Sequence, residues 1–521
     1  MRPDRPFLSC APISTAPRKG PTGGSTVQKP SVERQRERLA ERWDRVEAAL
    51  LSASVSLAPG DDTDPDLVIV FETRGAPEKV VDGLEMLGLE TLSDMSTKAA
   101  PDEDFYALNK AKQRKDSDID GTIYAVLGSV IQLRELLALW RKHAAGESIR
   151  GTSLAAFFNM LKDVRPWSES DRMKSLNLAK TLLEDADLSP DQTVTVHVEF
   201  FFRQDAAKRA KAEATFLELV GSDAMNSRSE RPEFGYHALS VTIPQRLLAT
   251  PSATGTELVY GEVGNFRAIQ TVMHAPQGVH AERANQTLGD VGGHATPIND
   301  PVVVLLDGLP LANHDLLAGR VTVCDPLGLG PTFEAKNRVH GTEMASCIIH
   351  GDLSAPAPPI ETAVLAVPVM SSIDDGFRVQ ERIPPTLLPP EVMCQAIEAI
   401  FEVEDKVAAA VRIVSLSVCD EGVPFQLQPS GWARALDWLS WRYNLLFLVA
   451  AGNHPSIEID MTPSGQLFNT DGFDDAVRES LARNRLHRRL LSPSESVNAI
   501  TVGALHEDAS GATPPGNLID P

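Results

Sequence analysis

Five consecutive apolar residues, Val302-Val-Val-Leu-Leu306, end directly in an aspartate, Asp307. A run that is apolar at every position suits a strand buried on both faces, as in a parallel sheet. The same kind of run returns at Thr362–Met370, Val411–Val418, Leu445–Val449 and Ser496–Val502. Helical spacing separates these runs. Met393, Ala396, Ile397, Ile400 and Phe401 trace one apolar face, and Trp432, Leu436 and Leu439 trace another. Strands alternating with helices imply a parallel sheet covered by helices on both faces. The sequence therefore predicts an α/β domain over residues 300–521.

The preceding residues read differently. At roughly 150 residues per domain, 521 residues make two to four domains. Residues 1–30 are rich in Pro, Gly, Ser, Thr and Arg and read as a disordered tail. Ser31 can cap a helix running to about Leu51, with Leu39, Trp43, Val46 and Leu50 on one face. After a Pro/Asp-rich linker at 58–65, Leu67–Phe71 reads as a strand, 76–87 as a helix and Leu89–Leu92 as another strand. Val194, Val196, Val198 and Phe200 alternate with polar residues, as in a half-buried strand. Asp205–Val220 reads as a helix and Tyr236–Ile243 as a strand. Residues 31–290 thus form an α+β region of one or two subdomains, and 275–300 reads as the linker into the last domain.

Composition narrows the function. A net charge of −22 opposes nucleic-acid binding, which needs a basic footprint, and disfavours anionic membrane surfaces. The longest apolar run, Leu445–Ala451, is far short of the ~20 residues of a membrane span. The first residues contain no apolar segment of the secretory type. Five cysteines without CxxC spacing argue against a disulfide framework or a cysteine zinc site. A reducing cytoplasm is the expected setting, and no cofactor or metal is expected. HExxH, GxxxxGK[ST] and GxSxG are absent.

Ligands in open parallel sheets meet the carboxyl ends of the strands. Asp307 stands at such an end, although an aspartate there also caps a turn with Gly308. His340 opens His340-Gly-Thr-Glu-Met-Ala345, a helix start. The positive end of the helix dipole favours its neutral, base-competent form. A structural histidine fits the same place. Asn453 ends Val449-Ala-Ala-Gly-Asn453, where its amide can serve an oxyanion or simply a turn.

Taken together and in this order, these segments resemble the subtilisin-like serine peptidase family. Val303-Val-Leu-Leu-Asp307-Gly with His314-Asp-Leu316 resembles its aspartate motif, and the His340 segment its histidine motif. Arg412-Ile-Val-Ser-Leu-Ser417 resembles the substrate-binding strand, and the Asn453 segment the oxyanion motif. Ser496-Val-Asn-Ala-Ile-Thr-Val-Gly-Ala504 resembles the strand that follows. The likeness spans about residues 300–505. It implies a subtilisin-like fold and hydrolysis of peptide bonds in a protein or peptide substrate. Asp307 orients His340, His340 is the general base, Asn453 donates to the oxyanion, and Ser415, Leu416 and Ser417 bind substrate. It further implies a large bacterial cytosolic type, with an AAA-type ATPase as a partner by analogy. The region before 300 resembles the leading part of such enzymes, in a recruiting or prodomain-like role.

The nucleophile is the main departure. The family places it in Gly-Thr-Ser-x-Ala downstream of the asparagine. Here the later serines are Ser456, Ser464, Ser480, Ser492, Ser494, Ser496 and Ser510, none preceded by Gly-Thr. The expectation is a nucleophile beyond Pro521. The alternative is a catalytically inactive module that binds peptides in the same cleft. Gly151-Thr-Ser153-Leu-Ala-Ala156 matches the motif by letter, but it precedes Asp307 and reads as a helix cap ahead of Phe157, Phe158 and Leu161. Glu343 and Ser346 replace residues common in the histidine motif. Cys419 stands where a glycine is usual and is expected to narrow the cleft. Cys347 is expected in the core.

Overall fold

The computed structural model describes residues 27–55, 66–173, 191–274, 297 and 299–503, apart from 76–79, 110, 150–151, 253–256, 352, 354–357, 375–378, 403–409, 426–427, 455–479 and 484–487. Most of the expected tail and linkers lie outside the described residues. The chain divides into two compact units, Met1–Trp167 and Ser168–Pro521.

The first unit begins with helix α1 (Val32–Val55). An antiparallel sheet follows, made of β1 (Asp66–Arg74), β2 (Glu90–Ala99), β3 (Ile119–Ser129) and β4 (Leu161–Pro166) in the order β2-β3-β1-β4. Helices α2 (Val130–Ala144) and α3 (Thr152–Met160) pack with it, and a short helix at Val80–Glu85 falls inside the span expected to be helical. The face predicted for α1 is the buried one. Leu39, Trp43, Val46 and Leu50 join Ile69, Phe71, Leu137, Trp140, Phe157 and Phe158 in one core. Trp43 and Trp140 stack with ring centres 5.5 Å apart. Ser153 lies on α3 and the phenylalanines after it are fully buried, as a packed helix requires. One expectation is corrected here. Val27–Gln28, placed in the disordered tail, is a short strand paired with Tyr106 and Ala107. The hydrogen bonds to that strand outweigh the poor apolar content of the segment.

The second unit holds two larger sheets, with short two-stranded ones beside them. Strands β5 (Thr193–Phe200), β6 (Met225–Arg231), β7 (Tyr236–Pro244) and β8 (Ile269–His274) form an antiparallel sheet in the order β8-β5-β7-β6. Helix α4 (Ala206–Val220) packs on it through Phe216, which meets Phe200 edge-on.

The larger sheet contains β9 (Asn299–Asp307), β10 (Val321–Val323), β11 (Thr362–Pro368), β14 (Ile413–Leu416), β16 (Leu446–Ala450) and β18 (Ala499–Val502). Two antiparallel pairs supply the intervening strands. They are the hairpin of β12 (Ser371–Asp374) with β13 (Val379–Arg382) and the long-range antiparallel pair of β15 (Asp420–Pro424) with β17 (Leu491–Ser492). The six-strand order is β10-β11-β9-β14-β16-β18, and every pairing is parallel. Helix α5 (His340–His350) covers one face, where Ala345 and Ile349 meet Leu305 and Val364. Helices α6 (Pro389–Phe401) and α7 (Gly431–Tyr443) cover the other, packed on Val304, Leu306, Leu416 and Phe447. Alternate residues of β9 thus feed opposite cores, which is why the whole run had to be apolar. From β9 the chain winds first to β10 and β11 on one side, then to β14, β16 and β18 on the other. That reversal is a topological switch point, and it opens a crevice at the strand ends.

Candidate active site

Asp307 is the last residue of β9 and is fully buried. Leu306 pairs with Leu416, and Leu416 with Val449, so the ends of β9, β14 and β16 lie level. Ser417 and Asn453 follow those ends on the same rim. Loop Gly308–Val339 then returns the chain to the crevice, where His340 begins α5. His340 Nδ1 donates to Asp307 Oδ1 at 2.6 Å, a charge-assisted bond. A carboxylate acceptor fixes the tautomer with the proton on Nδ1 and leaves Nε2 as the base. Among the described residues this is the only hydrogen bond of the ring, whose side chain keeps 14% exposure.

The local sequence explains the geometry. Gly308 N donates to Asp307 Oδ1, and Val369 N donates to Asp307 O. Thr342 Oγ1 donates to Arg338 O and accepts from Leu311 N, tying the helix start to the loop after Asp307. Gly341 lies against the backbone of Gly308. A Cβ on Gly341 would fall 2.2 Å from Gly308 O. The Gly-Thr after His340 is thus a packing requirement as well as a helix start.

The expected electrostatics of His340 are corrected. The helix dipole was expected to lower its pKa. Burial does pull in that direction, but the charge and hydrogen bond of Asp307, with Glu381 and Glu343, raise the ring above its ordinary value. A full carboxylate at hydrogen-bond distance outweighs the partial charge of a helix end.

Asn453 is exposed, three residues beyond β16, and Gly452 before it has φ 98°. That backbone suits glycine, and Leu491 fills the space where a side chain would stand. Of the substrate-binding candidates, Leu416 is in the core, Ser415 is buried, and only Ser417 keeps part of its side chain open. Cys419 Sγ donates to Ala450 O, joining the ends of β14 and β16, and burial pushes its thiol up to about 12. It is therefore a tie and not a reactive group. Cys347 departs from expectation: it is exposed. The buried stripe of α5 runs through Gly341, Ala345 and Ile349, so position 347 faces outward.

The described serines after Asn453 are engaged elsewhere. Ser492 bonds Ser430, Ser494 donates to Leu491 O, and Ser496 donates to Asp437. Ser480 is buried. Ser456, Ser464 and Ser510 lie outside the described residues. Among the described residues, no group of three His, Cys, Asp or Glu side chains could hold a metal ion.

Sequence reasoning missed Glu381, a buried carboxylate on β13. Its Oε1 accepts from Val339 N at 2.8 Å and from His340 N at 2.9 Å. It belongs to a hairpin that carries no apolar alternation, so nothing in the sequence singled it out.

Comparison with protein families finds no matching family model, and a search of curated proteins finds no match. The functional reading therefore rests on the rim itself. No helix among the described residues is long and apolar enough to cross a membrane.

Proposed function

We propose that Asp307, His340 and Asn453 form the greater part of a subtilisin-like serine endopeptidase site, its nucleophile a serine carried beyond Pro521. The observation that carries this reading is the 2.6 Å bond from His340 Nδ1 to the buried Asp307, at the rim of a parallel sheet. Asp307 holds the imidazole in the base-competent tautomer and stabilises its charged form. His340 Nε2 takes the proton of the attacking hydroxyl and returns it to the leaving amine. The Asn453 amide donates to the oxyanion as the tetrahedral intermediate forms. Ser417, just past the end of β14, lies beside the peptide, while Ser415 and Leu416 are paired on both sides within the sheet and support it from behind. The setting is cytoplasmic, the substrate a protein or peptide, and an AAA-type ATPase the partner by family analogy.

The test is an active-site phosphonate applied to the native protein from its source cells, read by intact mass. A native mass above 56.4 kDa with one phosphonyl adduct, lost in His340→Ala, supports the peptidase. A second reading, a peptide-binding module without catalysis, draws on the engagement of Ser492, Ser494 and Ser496 away from His340. A native protein that folds, takes no phosphonate and binds extended peptides would favour that reading.

A further inference from the structure

The crevice contains a second buried carboxylate for which the proposed triad has no use. Glu381 is 5% exposed. It reaches the site because β11 ends level with Asp307, at Pro368, and the chain continues into the β12–β13 hairpin, where Ser372 pairs with Glu381. One oxygen takes both amides at the start of α5, Val339 N and His340 N. The other, Oε2, is buried without a hydrogen-bond partner among the described residues, as is Asp307 Oδ2. A Cβ on Gly308 would fall 1.8 Å from Glu381 Oε2, so the carboxylate is wedged against the residue that follows Asp307. An unpaired buried acceptor destabilises the fold, and a charged one more so. Two of them beside one imidazole are a poor choice for stability alone.

We propose that Glu381 is a positioning residue for His340: its Oε1 fixes the backbone that aims the imidazole at Asp307, and its charge supplements Asp307 in supporting the imidazolium. The inference rests on the peptidase reading of the dyad. Three carboxylates face the ring: Asp307 from β9, Glu343 from α5 and Glu381 from β13. Burial works against the charged ring, and all three carboxylates favour it, Asp307 most strongly. Burial also raises Glu381 itself, opposed by the two amides it accepts. The amides of His340 and Val339 favour its charged form, against burial and the charge of Asp307. That couples the helix start to the state of the ring.

The test is His340 itself, followed by NMR in the full chain labelled at histidine, with its signals assigned from His340→Ala. Two readouts matter: the pH midpoint of the ring, and the strongly downfield Nδ1 proton that reports the bond to Asp307. Glu381→Gln keeps an acceptor for both amides and removes the charge. It is expected to move the midpoint to lower pH, by less than Asp307→Asn does, with the downfield proton retained. Glu381→Leu removes the acceptor and is expected to weaken or abolish that proton signal. If Glu381→Leu does not fold, Glu381→Gln decides. A folded Glu381→Gln with the wild-type midpoint overturns the proposal, as does a folded Glu381→Leu with an unchanged Nδ1 proton. An Asp307→Asn variant with an unchanged midpoint overturns the dyad and the proposal with it. A shift in Asp307→Asn without one in Glu381→Gln removes Glu381 alone and leaves the peptidase reading standing.

Discussion

The second unit carries two partly buried charge clusters built differently. Where the antiparallel sheet meets α6, Arg231 donates to Glu391 and Glu398, and Ser229 also donates to Glu391. The hydrogen bonds of Glu391, with Glu398, hold the guanidinium well above its ordinary value. Beside it, Arg434 of α7 donates to Phe234 O and Gly235 O, and Tyr236 lies against Gly431. This first cluster gives every carboxylate a donor, although Arg434 Nε is buried without an acceptor among the described residues. At the rim, Asp307, Glu381 and Glu343 surround a single histidine, and two of their oxygens are buried without a donor. A cluster that must take up and release a proton keeps spare capacity, because the ring changes charge while the scaffold stays still.

Three measurements sharpen this contrast. The largest effect is expected at the rim. Asp307→Asn should slow phosphonate labelling of the native protein by about 10³–10⁴-fold, since the amide favours the wrong imidazole tautomer. On the proposed reading the neutral ring is the base, and since its pKa is raised from 6.5, labelling of the unsubstituted protein should climb with pH through a midpoint above that value. A labelling rate that is flat with pH would break the assignment of His340. Next, Arg231→Ala should cost about 2 kcal/mol, less than for a fully buried pair because its side chain is 18% exposed. A urea midpoint measures this, with His340 titrating as before. Glu391→Gln and Glu398→Gln are its milder counterparts.

A pH-dependent effect concerns Asp420, whose Oδ1 accepts from Gly422 N on β15. Burial raises this carboxyl from 3.8 to about 7, with Gly422 opposing and Glu421 and Glu495 adding to it. The folded state therefore binds more protons than the unfolded state between those values. Its contribution to stability is largest at low pH and falls as pH rises toward 7. Asp420→Asn should flatten that decline in a series of urea midpoints. If the slope survives the substitution, other groups cause it.

Legibility in the sequence followed burial. Strand β9 was readable because a strand buried on both faces has little room for polar interruptions, and β14 and β16 by their apolar runs, although β14 holds the buried Ser415 and β16 leaves Leu446 exposed. Their shared parallel direction put Asp307, Ser417 and Asn453 on one rim before any coordinates. Helix α1 was readable for the matching reason: one face is core and the other is solvent. Other elements were not readable. Strand β3 passes into α2 with no loop between them, and Ser129 both ends the strand and caps the helix. The two periodicities run together there without a breaker. Glu381 was invisible because its value lies in amides 41 and 42 positions away, brought close by the path of β11. The direction of the His340 shift failed for a similar reason. The helix dipole is a local quantity, and the carboxylates that overrule it arrive from other strands.

Two glycines described at the rim have a consequence for the evolution of the chain. Gly341 touches the Gly308 backbone, and Gly308 touches the Glu381 carboxylate, so neither position has space for one carbon atom. The separation of aspartate and histidine is thus set by two absent side chains. The backbone can carry a dyad here only while both absences persist. A lineage that abandons the chemistry gains freedom first at 308, where a flexible carboxylate can retreat, and only later at 341, where the obstacle is main chain. Drift at 308 with glycine still fixed at 341 would mark a recently silenced site, and drift at both an old one.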